Sequence, residues 1–199
     1  MNARQVLVRG SAAAGGAVLL AGAMWLHSLQ PRVRAGELDP IRTGGSIGEK
    51  VETRDFSVRV DKVEAARSLE PNFSLGGKPP VGTDGVYLIV GISATSRREP
   101  LQLRSAELET PGGYRFRQDP RTSEVSAEQP TLQPLIWTPA KLVFELPENR
   151  VEGAHLVVGT GGLLPQLSSA ADIDLGLGKD RAARLVQGAA ERYKVRATS

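Results

Sequence analysis

The sequence predicts a mainly β protein built as an antiparallel β-sandwich, and three observations carry that reading. Residues 83–118 run as core strand, charged turn, alternating strand, a Pro111-Gly112-Gly113 hairpin and another alternating strand, which is how antiparallel neighbours are written in a chain. Between roughly residues 45 and 160 the aliphatic side chains recur at period two rather than at helical spacing. Aromatic residues are only 5% of a chain that is 40% hydrophobic, so the core is drawn mostly from Val, Leu and Ile, which suits a small sandwich.

The N-terminal segment, residues 1–35, carries four Arg and no acid and reads as a membrane anchor or signal segment. A helix rises about 1.5 Å per residue, so roughly 20 residues cross a bilayer core. The uncharged run from Ser11 to Gln30 meets that length, and Trp25 near its downstream end fits an interfacial anchor. Arg4 and Arg9 before it balance Arg32 and Arg34 after it, so the positive-inside comparison is a tie. The rival reading is a cleaved secretory signal, with Val33-Arg34-Ala35 as the small-x-small site before Gly36. Under either, the rest of the chain lies outside the cytoplasm.

Residues 36–48 are rich in Gly and Pro without periodicity and read as a tether. The sandwich is expected over 49–177. It opens with a strand around Val51 and the alternation Phe56, Val58, Val60, followed by a long polar loop over 65–82. The apolar run 86–94 is the central strand, buried on both faces for part of its length. Leu101, Leu103, Ala106 and Leu108 continue the alternation, and Tyr114 and Phe116 alternate with Arg115 and Arg117. A polar insertion over 119–139 ends in Leu135-Ile136-Trp137, where Trp137 either caps the core or stands exposed as a binding aromatic. Strands at 141–146 and 155–158 are expected to pair through 147–153, and Ile173, Leu175 and Leu177 share a face opposite Asp172 and Asp174. In 178–199 the spacing of Ala182, Leu185, Val186, Ala189, Ala190 and Tyr193 predicts a basic amphipathic helix and tail, with Gly188 as the point of interruption.

Charge and chemistry narrow the function classes. The formal net charge is +3, yet residues 36–177 hold 15 basic against 20 acidic residues, so the positive excess lies at the two ends. No basic stripe with interleaved aromatics runs through the body, which argues against nucleic acid as a partner. Cysteine is absent, which removes disulfides, thiolate nucleophiles and a lipid-anchor cysteine. Two histidines, His27 and His155, lie too far apart in kind to form a metal site or a triad, so no catalytic residue, metal or cofactor is assigned. Asp172 and Asp174 are too few oxygen donors for calcium, and the carboxylates of Glu107 and Glu109 alternate on one strand without implying a cleft. The runs Thr43-Gly44-Gly45-Ser46 and Gly159-Thr160-Gly161-Gly162 lack the Lys-Ser/Thr ending of a phosphate loop and read as turns. The candidate partner contacts are Trp137 and, on the basic helix, Arg181, Arg184 and Arg192, facing anionic headgroups or an acidic protein surface.

These residues resemble a family. Residues 48–60, the run Gly85-Val-Tyr-Leu-Ile-Val-Gly-Ile-Ser-Ala-Thr-Ser, the Leu-x-Leu and Gly-Gly-Tyr hairpin, and Lys141-Leu-Val-Phe-Glu-Leu-Pro resemble the secreted immunoglobulin-like domains of the actinobacterial immunoprotective-antigen superfamily. The resemblance spans about residues 45–159. It implies an immunoglobulin-like two-sheet sandwich displayed outside the cell, N-terminus in and domain out, and transfers no catalytic residue. The expected function is a membrane-anchored extracytoplasmic interaction module, not an enzyme, serving as an accessory subunit of a cell-envelope complex. The alternative is binding of a small ligand or cell-wall polymer through the long loops and Trp137.

Overall fold

The computed structural model describes residues 39–70, 79–118, 131–161 and 167–194. The anchor or signal segment, most of the insertion over 119–139 and the tail beyond Lys194 lie outside the described residues. Among the described residues no helix is long and apolar enough to cross a membrane.

Among the described residues ten strands form two sheets: β1 (Ile41–Ser46), β2 (Val51–Glu52), β3 (Phe56–Glu70), β4 (Val81–Ser96), β5 (Ser105–Thr110), β6 (Tyr114–Arg117), β7 (Thr138–Leu146), β8 (His155–Gly159), β9 (Ser169–Asp174) and β10 (Tyr193–Lys194). One five-stranded sheet runs β1-β9-β8-β5-β6, and the other runs β10-β3-β4-β7 with β2 also on β3. The apolar run of β4 sits between β3 and β7, antiparallel to both. Its Val86, Leu88, Val90 and Ile92 face the inter-sheet core with Leu142 and Phe144, against Leu108, Leu156, Val158, Ala171 and Ile173 of the facing sheet. Each such side chain contributes about 1.5–3 kcal/mol by leaving water. The other side of β4 is apolar too, since Tyr87 and Ile89 form a second buried cluster with Ala66, Leu69 and Val143.

A bulge reconciles the β3 sequence with this core. Pairing with β4 shifts register between Val60 and Lys62, so Phe56, Val58 and Val60 point inward before it and Ala65 points inward after it. One extra residue exchanges the two faces. A second shift between Ala66 and Ser68 lets Leu69 join the outer cluster.

Five expectations are corrected. The tether reading ends early, because Ile41–Ser46 is β1, in parallel register with β9. Its Gly44-Gly45 is therefore a strand rather than a turn; a Cβ on Gly45 would lie 2.3 Å from Val51 Cγ2, so only glycine lets β1 approach β2. The loop over 65–82 is shorter than expected, since β3 continues to Glu70 and β4 begins at Val81. Alanine and serine give a weak strand signal, and burial of Ala65, Ala66 and Leu69 decides the matter. β7 and β8 do not pair with each other. They belong to opposite sheets, and a 3-10 turn at Glu148–Arg150, with Val151 and Ala154 buried after it, carries the chain across the end of the core. The C-terminal helix α1 spans Lys179–Gln187 and stops at Gly188, after which Tyr193–Lys194 pairs with Leu69–Glu70 as β10.

Candidate functional site

β4 spans the sandwich from one pole to the other and defines where the predicted contact residues fall. At the first pole, β4 ends at Ser96 and β7 begins beside it, with Ala94 opposite Thr138. The loop before β7 is pinned there: Ser96 bridges Pro134, Leu101 bridges Leu132, and the Thr95 hydroxyl donates to the Gln133 carbonyl at 3.0 Å. Leu135 turns the chain at φ 66, a left-handed conformation that side chains rarely adopt, and Gln133 closes the turn by bridging Ile136. The result is an apolar tip with Leu135 93% exposed, Ile136 60% and Trp137 41%. Trp137 does not cap the core; Arg59 on β3 lies over its ring, 5.9 Å from the centroid.

α1 lies at the opposite pole. Gly178 precedes it in extended conformation without a side-chain cap, Asp180 in the first turn and Arg184 in the last match the helix dipole, and Gly188 ends it. Ala182, Leu185, Val186 and Ala189 pack against the main core, so the apolar stripe read from the sequence is consumed by the sandwich. Arg181, Arg184 and Arg192 are exposed and make no side-chain hydrogen bond or ion pair among the described residues. An open groove of about 420 Å³ separates α1, with Lys179, Val186 and Gln187, from Glu148, Asn149 and Glu152. Beyond the helix, Tyr193 crosses the outer cluster. Its hydroxyl donates to Glu64 at 2.8 Å and Lys141 Nζ stands 5.4 Å from its ring. Burial, then the Glu64 bond, pushes the Tyr193 hydroxyl up to about 12. Burial works against ionised Glu64, but the bonds from Tyr193 and Lys62 win and hold its carboxyl below its ordinary value.

A third assembly was not legible in the sequence. On the outer face of the β1-containing sheet, Arg42 donates to Glu109 through both terminal nitrogens at 2.7 and 2.8 Å and reaches Asp172 at 3.3 Å. Arg115 closes on Glu109 at 3.1 Å, and His155 Nδ1 lies 3.2 Å from Asp172. The Arg42 bonds hold the Glu109 carboxyl below its usual range against partial burial. Glu109, Arg115, His155 and Asp172 line an open groove of about 450 Å³ beside the Pro111–Gly113 hairpin. Glu107 is likewise engaged, by Arg117 at 2.8 Å. Chemically, Glu109, bound by two guanidinium groups, is held ionised and acts as a strut between strands rather than as a proton donor. Among the described residues no group of three or more His, Cys, Asp or Glu side chains is arranged to hold a metal ion. The four key residues come from β1, β5, β8 and β9, and nothing but the strand order could have joined them.

The structure therefore divides the sequence-predicted contacts between two poles, Trp137 at one and Arg181, Arg184 and Arg192 at the other. Leu135 and Ile136 belong with Trp137, and their signal was the three consecutive large apolar residues after a proline. No protein-family model and no curated protein matches the chain. Solved structures similar to it include an uncharacterised β-sandwich protein from Clostridium difficile 630, at 14% identity and TM-score 0.40 over 67% of this chain and 95% of that one. The YjhA protein of Bacillus subtilis aligns at 15% identity and TM-score 0.47, covering 65% of this chain and 99% of its own. A putative lipoprotein of Bacillus subtilis, YcdA, aligns at 14% identity and TM-score 0.45, covering 69% of this chain and 41% of its own. Likeness at these identities transfers no activity.

Proposed function

We propose that the chain is a membrane-anchored, extracytoplasmic and non-enzymatic interaction module with an immunoglobulin-like sandwich, an accessory subunit of an envelope complex that meets an acidic protein surface through the α1 pole. One contrast supports this reading. Elsewhere on the surface Arg42, Arg54, Arg59, Arg67, Arg115 and Arg117 are each tied to a carboxylate, Arg97 to the Thr53 carbonyl and Arg150 to the Tyr114 ring, whereas Arg181, Arg184 and Arg192, like Arg98 and Arg104 away from this pole, have no such partner among the described residues. The apolar face of α1 is already used, so what the helix offers is charge. Full-length protein purified in mild detergent should carry a stoichiometric membrane partner, and the triple variant Arg181→Glu, Arg184→Glu, Arg192→Glu should lose it. A wild-type chain that purifies alone overturns the proposal.

The exposure of Trp137, 41%, favours a second reading, capture of a cell-wall polymer or small ligand by stacking on its ring. Wall glycans should then raise the melting temperature of the wild type and not of Trp137→Ala.

A further inference from the structure

Among the described residues six large hydrophobic side chains are exposed, and five of them, Ile41, Leu135, Ile136, Trp137 and Leu167, lie at one pole of the sandwich. Hydrogen bonds and strand bridges tie these positions together. The Ile41 amide donates to the Ser168 carbonyl, Arg54 donates to the Leu167 carbonyl at 3.0 Å, the Arg97 amide donates to the Asp55 carbonyl, and Ser96 bridges Pro134. The sixth, Tyr114, stands apart, with the Arg150 guanidinium 3.8 Å from its ring centroid. Exposed apolar side chains gathered at one end of a domain call for a covering surface.

Cations edge the same pole. Arg54, Arg59, Arg97 and Arg98 are exposed there. The acids among them are largely engaged: Asp55 accepts from Ser169 at 2.7 Å and from Arg54, and Asp61 accepts from Ser93 at 2.6 Å and from Arg59. Among the described residues Glu52, paired with Lys50 and near Arg97, and Glu99 are the other exposed acids there. Apolar tips within a ring of arginines match the boundary of a bilayer, acyl chain inside and phosphate outside.

Chain length selects the bilayer over other occupants. β1 begins at this pole, and twelve residues, 27–38, separate Asp39 from the end of the apolar run at Leu26. Fully extended they reach at most about 40 Å. With Leu26 at the membrane surface, the first strand of the domain is held within about that distance of lipid.

Resting on the membrane-anchored reading above, we infer that this pole is a lipid-contact surface: Leu135, Ile136 and Trp137 insert at the interface of an anionic bilayer, Ile41 and Leu167 flank them, and Arg98, which has no hydrogen-bonded or ion-paired partner among the described residues, meets headgroup phosphates. The α1 pole then points away from the membrane, toward protein partners. The strained turn at Leu135 has a purpose in this arrangement, since it aims three large side chains outward from a backbone pinned at Gln133 and Pro134.

The test uses the full chain carrying Trp25→Phe, so that Trp137 is the sole tryptophan. It is reconstituted into phosphatidylcholine vesicles with and without phosphatidylglycerol, containing lipids brominated at a shallow acyl position. Flotation of the vesicles reports anchoring, and bromine quenching of Trp137 reports seating. Expected are shallow quenching and a blue-shifted emission, stronger with phosphatidylglycerol and weakened by Arg98→Glu. Leu135→Ser should lower the lipid-contacting fraction roughly tenfold, and adding Ile136→Ser should lower it again by about as much. Circular dichroism melts confirm that these surface variants fold. A chain that floats while Trp137 stays unquenched and solvent-like sinks the lipid-contact surface and leaves the anchor standing. A chain that does not float sinks the anchored reading and this inference with it. Quenching that soluble wall glycan or an added protein displaces assigns the tip to that occupant and overturns the proposal.

Discussion

Tyr193→Phe isolates one contact that fastens the C-terminal segment to the sandwich. The substitution removes a single oxygen, which donates to Glu64 at 2.8 Å, and leaves the ring on the Ala66, Tyr87, Ile89 and Val143 cluster. A hydrogen bond to a charged acceptor contributes about 1.5–3 kcal/mol, and solvent access to Glu64 lowers the expectation here to about 1–1.5 kcal/mol. For a body of this size each 1 kcal/mol moves Tm by roughly 2–4 °C, so the variant should melt about 2–6 °C lower near neutral pH. The difference depends on pH in a fixed direction. The folded-state hydroxyl is raised from 10.0 to about 12, so its stabilisation is complete below the lower value and is lost as pH rises through the upper one. The Glu64 carboxyl is held below 4.5, so its share is present above that value and is lost as pH falls through the folded-state pKa. Thermal melts of wild type and variant, followed by circular dichroism in mild detergent, should therefore differ most between these limits and converge at both ends. A difference smaller than about 1 °C at neutral pH, or one that persists unchanged to about pH 12, refutes the reasoning.

Two further perturbations address the sheets. Arg42→Met leaves Glu109 and Asp172 facing each other without their common guanidinium and should cost about 1–3 kcal/mol in urea unfolding at neutral pH. Because Arg42 holds the Glu109 carboxyl below 4.5, that cost should shrink as pH falls through the depressed pKa; equal losses at neutral and acid pH would contradict the assignment. Gly85→Ala places a Cβ 2.3 Å from the Leu146 carbonyl oxygen, a backbone atom that cannot yield without spreading β4 from β7, and should cost about 2 kcal/mol or more. Gly82→Ala on the same strand meets nothing within 4 Å and should leave Tm nearly unchanged.

The elements legible in the chain are those whose signal is local. β4 announced itself by an apolar run long enough to be buried on both sides, and the hairpin after Thr110 by Pro111-Gly112-Gly113, where Gly112 and Gly113 take φ 91 and 78. The helix at 179–187 followed from spacing, although it stops at Gly188 where the spacing ran on to Tyr193. β1 and β10 were not legible. Ile41–Ser46 contains two glycines and only one large apolar residue, and it becomes a strand by pairing with residues more than a hundred positions away. Tyr193–Lys194 becomes one by lying against Leu69–Glu70. The same holds for the contact residues. Trp137 could be singled out as an aromatic in a polar insertion, but its exposure depends on how Pro134 and Gln133 are pinned by β4. The Arg42, Glu109, His155 and Asp172 assembly carries no motif at all, since each residue alone is an ordinary polar position on a strand.

Side-chain alternation, apolar runs and turn residues are properties of neighbours along the chain, and they were enough to establish two sheets of aliphatic residues, a basic terminal helix and the lack of any thiol. Which strands lie side by side, which charges meet and which pole bears the exposed apolar tip depend on backbone pairing between distant segments. Pairing energies of that kind are decided only when the chain closes, because a polar or glycine-rich segment gains its hydrogen bonds from whichever edge burial leaves open. The division of contact residues between a Trp137 pole and an α1 pole belongs to that second class.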